Sequence, residues 1–316
     1  MHFDLGRSMA RRIVVGRVYH VGMSSTIGQA LAPQADVVAL AESQLCDRLD
    51  WSEAQRKGAA TTAGALIRDL PNRSFGVVGL AGAPGSGKSA LAGLVCGVVK
   101  QLGKHALVLS LDNYYLDRQQ RLELARRHSL LAQRGVPGTH DWARLIGDLD
   151  RIREGRIADL RLPRFDKSRD DRCEEGPFGR LEARPQLVIL EGWLIGAPPQ
   201  DPSALLGPVN QMEAERDPDG RWRGLVNDEL ARYHRDLAHR LHRRWFLAVP
   251  DWESVLAWRW QQETEAAEAE RHLESFDAVA RFLDQFQRIA LHMQATCGEW
   301  ANRVVRLDDR HVMHVD

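Results

Sequence analysis

Apolar positions recur in short blocks along this chain, and the spacing within and between the blocks predicts most of the fold. Val38, Leu40, Leu45, Leu49 and Trp51 fall near helical spacing in a stretch from Val37 to Leu70, which reads as helix. Pro71-Asn72 punctuates its end. Phe75 to Ala81 is then a compact apolar run of strand type, a glycine-rich loop follows, and Ala90 to Leu102 reads as a helix stopped by Gly103. Strand-type runs recur at His105 to Leu111, Gln186 to Leu190, Trp245 to Val249 and Arg303 to Leu307, with helical stretches between most of them. This alternation predicts an α/β fold of three layers, a mainly parallel sheet of about five strands with both faces covered. Residues 1–71 are expected to form an N-terminal extension and residues 72–316 the main domain. The extension reads as helical in its later part. Its first part, Leu5 to Ala35, has four arginines and no acidic residue, a composition shared by organellar transit peptides and disordered leaders; we read it as disordered.

Composition narrows the function classes. Forty-three basic residues balance forty-three acidic ones, so no global field draws nucleic acid or a membrane surface, and any anion site is a local arrangement. Cys46, Cys96, Cys173 and Cys297 lack paired spacing, which argues against a zinc site or a disulfide framework and suits a reducing compartment, the cytoplasm by default. Apolar runs such as Leu187 to Leu190 are too short to span a bilayer. Nothing marks an obligate protein partner.

The candidate chemistry begins at Gly82-Ala83-Pro84-Gly85-Ser86-Gly87-Lys88-Ser89, a complete Walker A loop between a strand and a helix. Its glycines let backbone N–H groups turn inward around a β-phosphate, and the helix start adds its positive dipole end. Lys88 reaches the β and γ oxygens, and Ser89 can ligate Mg²⁺. The chain has no Asn-Lys-x-Asp for reading guanine and no Leu-Ser-Gly-Gly stretch of transport ATPases, which leaves a kinase using ATP and Mg²⁺ as the leading branch. Asp112 and Glu191 each follow an apolar run, at the sheet edge where functional groups gather. We assign Asp112 as the base that aligns the attacking hydroxyl and Glu191 to the metal side, with both carboxylates and Ser89 near the ion, partly through water; the two roles could be exchanged.

Leu109-Ser110-Leu111-Asp112-Asn113-Tyr114-Tyr115, with Leu187 to Trp193, resembles the phosphoribulokinase, uridine kinase and pantothenate kinase group of P-loop kinases, in which the Asp is catalytic. Arg134 to Asp141, Leu162 to Ser168, and Pro208-Val209-Asn210 through Asp217-Pro218-Asp219-Gly220 to Asn227 narrow the resemblance to the D-glycerate 3-kinase family. With Trp258 to Glu263 it covers roughly residues 75–310, leaving the first seventy outside. It implies a P-loop NTPase fold and transfer of the γ-phosphoryl group of ATP to a hydroxyl of a small hydroxy acid, most simply D-glycerate. The chain departs from the family at Asn113, where a second Asp is common, and in an abbreviated Arg126 to Leu131.

A carboxylate acceptor needs cationic donors, and Arg164 to Arg172 supplies Lys167 and Arg172 as candidates. Thr139, His140 and Asp141, after the Pro137-Gly138 turn, are candidates for substrate hydroxyls. By the same resemblance Arg259 is a catalytic cation for the transferring phosphoryl group, against the alternative of a salt bridge to Glu263 one turn on. His234, His239 and His242 lie among arginines and read as a solvated helix face. Two competing functions stay open: a kinase for another small acceptor, pantothenate-like or nucleoside, and an ATP-binding regulatory protein without turnover.

Overall fold

The computed structural model describes residues 34–48, 50–70, 73–173, 179–265 and 273–315. Helices α1 (Gln34–Leu45) and α2 (Glu53–Arg68) come first. Then follow β1 (Gly76–Gly82), α3 (Lys88–Gln101), β2 (Ala106–Ser110), α4 (Arg118–Leu124) and α5 (Trp142–Glu154). A small hairpin, β3 (Phe165–Asp166) with β4 (Asp171–Arg172), precedes β5 (Leu187–Glu191), α6 (Gln211–Arg216) and α7 (Arg221–Ala238). The chain closes with β6 (Arg243–Ala248), α8 (Trp252–Glu265), α9 (Phe276–Trp300), β7 (Arg303–Leu307) and β8 (Met313–Val315).

Among the described residues the main sheet has six strands in the order β2-β5-β1-β6-β7-β8, one more than expected; β8 is the addition and runs antiparallel to β7, while the others are parallel. β1 and β5 are buried at every position, so both faces are covered and period-two alternation is lost. The chain moves from β1 outward to β2, fills the gap with β5, then crosses β1 to β6. That reversal places a crevice at the carboxyl ends of β1, β2 and β5.

The stretch read as one helix from Val37 to Leu70 is two. Ser52 stops the continuity, because its hydroxyl accepts from Gln55 N while the Gln55 side chain takes the Ser52 N–H, a capping box that starts α2 afresh. Leu49 and the boundary at Pro71-Asn72 lie outside the described residues, as does the arginine-rich leader up to residue 33, while Gln34 and Ala35 at its end open α1. The described part of the extension is packed into the same core as the sheet: Val37, Ala41, Ala60, Ala63 and Leu66 are buried with Leu91, Val95 and Val98 of α3. Asp69 at the end of α2 accepts from Trp245 Nε1 at 3.0 Å and from Arg243 Nε at 3.2 Å, tying the helix to β6. Among the described residues no helix is long and apolar enough to cross a membrane.

Buried ion pairs hold the segments that wall the crevice. Arg288 of α9 forks onto Glu213 of α6, with Nε–Oε1 2.8 Å and Nη2–Oε2 2.6 Å, and also donates to the carbonyls of Ala204 and Gly207. Asp217 takes the N–H groups of Trp222 and Arg223 and pairs with the Arg223 guanidinium, so the Asp217 to Asn227 block serves as a strut for α7. Truncating one member of a buried pair strands the other charge. Glu213→Ala is therefore expected to lower the unfolding free energy by about 3–5 kcal/mol in urea titrations. A loss below about 1 kcal/mol would show that the pair contributes no more than an exposed one.

Candidate active site

The glycine-rich loop turns sharply out of β1 because Gly85 and Gly87 take left-handed backbone, φ 83° and 86°, where a side chain is strained. Gly87 is the N-cap of α3 and no side chain caps that end, so the first-turn N–H groups remain for a ligand. Ser86 Oγ is buried inside the loop without a partner. Lys88 is buried, and its ammonium donates to Ala83 O at 2.9 Å, curling back over the loop. Burial lowers its pKa, and Glu191 and Asp112 oppose that shift.

The sheet register delivers the carboxylates to the same edge. Leu80 of β1 lies beside Glu191, and Glu191 beside Ser110 of β2, two residues before Asp112. Glu191 ends β5, and Ser89 Oγ donates to its Oε1 at 3.2 Å. Asp112 sits on a 3-10 turn, Leu111–Tyr114, with its carboxylate held from both sides. Lys167 Nζ donates to Oδ2 at 2.6 Å and Tyr115 Oη to Oδ1 at 3.0 Å. Burial works against the ionised form, yet the Lys167 charge and the two hydrogen bonds outweigh it and hold Asp112 at about 2. Tyr115 stays a phenol, its pKa pushed well up by burial and then by Asp112. A cleft of about 290 Å³ opens on these groups; Arg134, Trp193, Arg259, Phe282 and Phe286 complete its walls.

No protein-family model matches the chain. An uncharacterized kinase of Schizosaccharomyces pombe is 29% identical over 201 residues, 59% of this chain and 69% of that protein. The chloroplastic D-glycerate 3-kinase of Arabidopsis thaliana is 24% identical over 252 residues, 73% of this chain and 52% of the enzyme. The solved D-glycerate 3-kinase of Cryptococcus neoformans shares the fold, with a TM-score of 0.59 at 22% identity over 89% of this chain and 97% of that one. This chain has the fold of the P-loop kinases and is similar in sequence to kinases that include D-glycerate 3-kinase.

The kinase brings together Lys88, Ser89, Asp112, Glu191, Lys167 and Arg259 around one cleft. Arg259 is also paired, its guanidinium bonding Glu263 one turn on and Gln262 at 3.2 Å. Four other candidates, Arg172, Asp141, Thr139 and His140, do not line this cleft. Arg172 donates to Tyr115 O at 2.8 Å and pairs with Asp141 at 2.9 Å, pinning β4 to the Asp112 turn. Asp141 is the N-cap of α5 as well as that partner. Thr139 is fully buried, its hydroxyl accepting from Gly135 N and donating to Val136 O within its own turn. His140 stacks on Tyr115 with ring centroids 4.7 Å apart, behind the cleft wall, and burial pushes its pKa to about 3, so it is neutral.

Asn113, the departure from the family pattern, accepts from Phe165 N at 3.3 Å and docks the hairpin instead of facing the cleft. His234, His239 and His242 each bond elsewhere, to Ala197 O, Arg240 and Val77 N respectively. Arg134, Tyr115, Phe282 and Phe286 were missed. Arg134 and Tyr115 stood inside the family blocks, whereas Phe282 and Phe286 carried only helical core spacing. Arg134 pairs with Asp170 and lies over the Phe165 ring, so its cation is fixed at the cleft wall.

Because the folded pKa of Asp112 lies below its ordinary 3.8, the pair's stabilising contribution is complete above about pH 4 and is lost as pH falls toward 2. Lys167→Met removes the nearest opposing charge and its hydrogen bond, leaving Tyr115 and Lys88 alone to offset burial. The acid limb of kcat/KM is expected to move up by about 1–3 pH units. An unmoved limb would mean that Lys167 does not set the ionisation of Asp112.

Proposed function

We propose that this kinase transfers the γ-phosphoryl group of ATP to a hydroxyl of a small hydroxy acid, D-glycerate. The observation that carries the reading is an ionised Asp112, clasped by Lys167 and Tyr115, facing the Walker loop across a cleft of about 290 Å³. That volume lies at the small end of ligand pockets and suits an acceptor of few atoms. The orphaned Ser86 Oγ and the uncapped start of α3 fit a phosphate chain. The donor set of Ser89, Glu191 and Asp112 fits Mg²⁺ bound to that chain, directly or through water; the ion would neutralise charge on the phosphates.

Asp112 orients the acceptor hydroxyl and takes its proton. A carboxylate with a pKa near 2 is a weak base, so the proton moves late, once bond formation to phosphorus has acidified the hydroxyl. Lys88 follows the charge on the β and γ oxygens. Arg259 stands at the same wall for the transferring group. Lys167 and Arg134 supply cations for the acceptor carboxylate, and the D-glycerate 3-kinase named among the relatives supports that acceptor. Four free cysteines fit a reducing cytoplasm.

Trp193, Phe282 and Phe286 favour a second reading, because they present more apolar wall than glycerate needs and would suit a pantothenate-like acid. A screen of ADP release against D-glycerate, pantothenate, uridine and related hydroxy acids separates the readings. D-Glycerate is expected to give the largest stimulation over the acceptor-free rate. Stimulation by pantothenate alone would transfer the assignment to the second reading, and no stimulation by any acceptor would remove both.

A further inference from the structure

A second and larger cavity, about 430 Å³, opens on the other flank of the Walker loop and shares Gly85, Gly87, Ala90 and Gln262 with the acceptor cleft. The loop's phosphate cradle thus lies between two chambers. The transferring end of a nucleotide must lie with Asp112, Glu191 and Lys167, all of which line the smaller chamber. The larger chamber carries none of these three. Its lining includes indole and amide groups, Trp51, Trp258, Gln55 and Gln261, with His311 beside them and charged side chains of both signs around them. Flat rings beside amides that both donate and accept suit a purine base. The volume is within the range of small-ligand pockets.

Five of the sixteen residues that line this chamber, Arg48, Asp50, Trp51, Gln55 and Ala59, belong to the N-terminal stretch outside the family resemblance. We propose that the N-terminal helix pair, through the α1–α2 connection and the first turn of α2, walls the nucleoside site, so that donor affinity depends on Trp51 and Gln55. This rests on the reading of ATP as donor. The connection is held in place by specific contacts. Gln55 Nε2 donates to Arg310 O at 2.9 Å, joining α2 to the turn before β8. A Cβ on Gly58 would meet Met313 O at 2.7 Å, so glycine there permits the close approach of α2 to β8. Arg48 lies 4.7 Å over the Trp51 ring and pairs with Asp50 at 2.9 Å, fixing the indole at the rim. On the opposite wall His311 takes φ 63° and stacks flat on Trp258, centroids 4.1 Å apart, while bonding the Ser86 backbone. The turn before β8 therefore touches both the helix pair and the phosphate loop.

The test compares ATP with inorganic tripolyphosphate, which carries the phosphates without a nucleoside, as ligands of the full chain. Trp51→Ala is expected to weaken ATP binding about tenfold and leave tripolyphosphate binding unchanged, the size expected for loss of one stacking partner. In the unaltered chain, ATP but not tripolyphosphate should slow amide hydrogen exchange across residues 50–59, a readout that does not depend on the variant folding. Equal weakening of both ligands, unchanged ATP affinity, or no ATP-specific protection of residues 50–59 would overturn the proposal. If the unaltered chain binds neither ligand, the donor reading itself fails, and the wall falls with it.

Discussion

One buried ammonium sets the terms for the rest of the site. Lys88 is out of water inside the glycine-rich loop, where an isolated charge is costly, and its relief comes from Ala83 O and from two carboxylates at the ends of neighbouring strands. Glu191 accepts from Ser89, and Asp112 stays ionised between Lys167 and Tyr115. The charge pattern is built around the space a phosphate chain would fill. Parallel pairing of β1, β2 and β5 brings the groups to one edge, which is why the chemistry depends on sheet register more than on any single loop.

Around this centre the kinase uses buried polar contacts as struts. The Phe165 hairpin carries Lys167 to Asp112 and is itself held by Asn113, by Arg172 on Tyr115 O, and by Arg121 and Arg134 on Asp170. Glu213 with Arg288, and Asp217 with Arg223, fix the far wall. Many of the residues that make the family blocks specific are therefore positioning groups whose partners are backbone atoms and one another.

Much of this was legible from the chain alone, for identifiable reasons. Apolar runs flanked by turn residues marked all five parallel strands within one to two residues, most cleanly at β1 and β5, which are buried throughout and keep no polar positions to confuse the pattern. Strand β8 escaped notice, being short, and so did the break at Ser52, where a capping box overrode a continuous apolar period. The donor side was readable because a phosphate cradle requires a fixed local spacing. The acceptor side was half readable. Lys167 and Arg172 are five residues apart on one basic loop, yet the hairpin sends the first into the cleft and the second behind it. Thr139 and His140 looked like presented polar groups, but the turn folds inward and satisfies Thr139 locally while burying His140 on Tyr115. Phe282 and Phe286 are the converse: ordinary helix-core spacing placed two rings on a substrate wall.

The central claim is that Asp112 serves transfer and not nucleotide retention, since it stands across the cleft from the loop that holds the phosphates. Asp112→Asn preserves shape and removes the base. Mixed with ATP, Mg²⁺ and D-glycerate in single-turnover experiments, this variant is predicted to bind ATP with unchanged affinity and to transfer the phosphoryl group about 10²–10⁴-fold more slowly than the unaltered chain. Transfer at the unaltered rate would contradict the account, as would a slower reaction explained wholly by lost ATP binding.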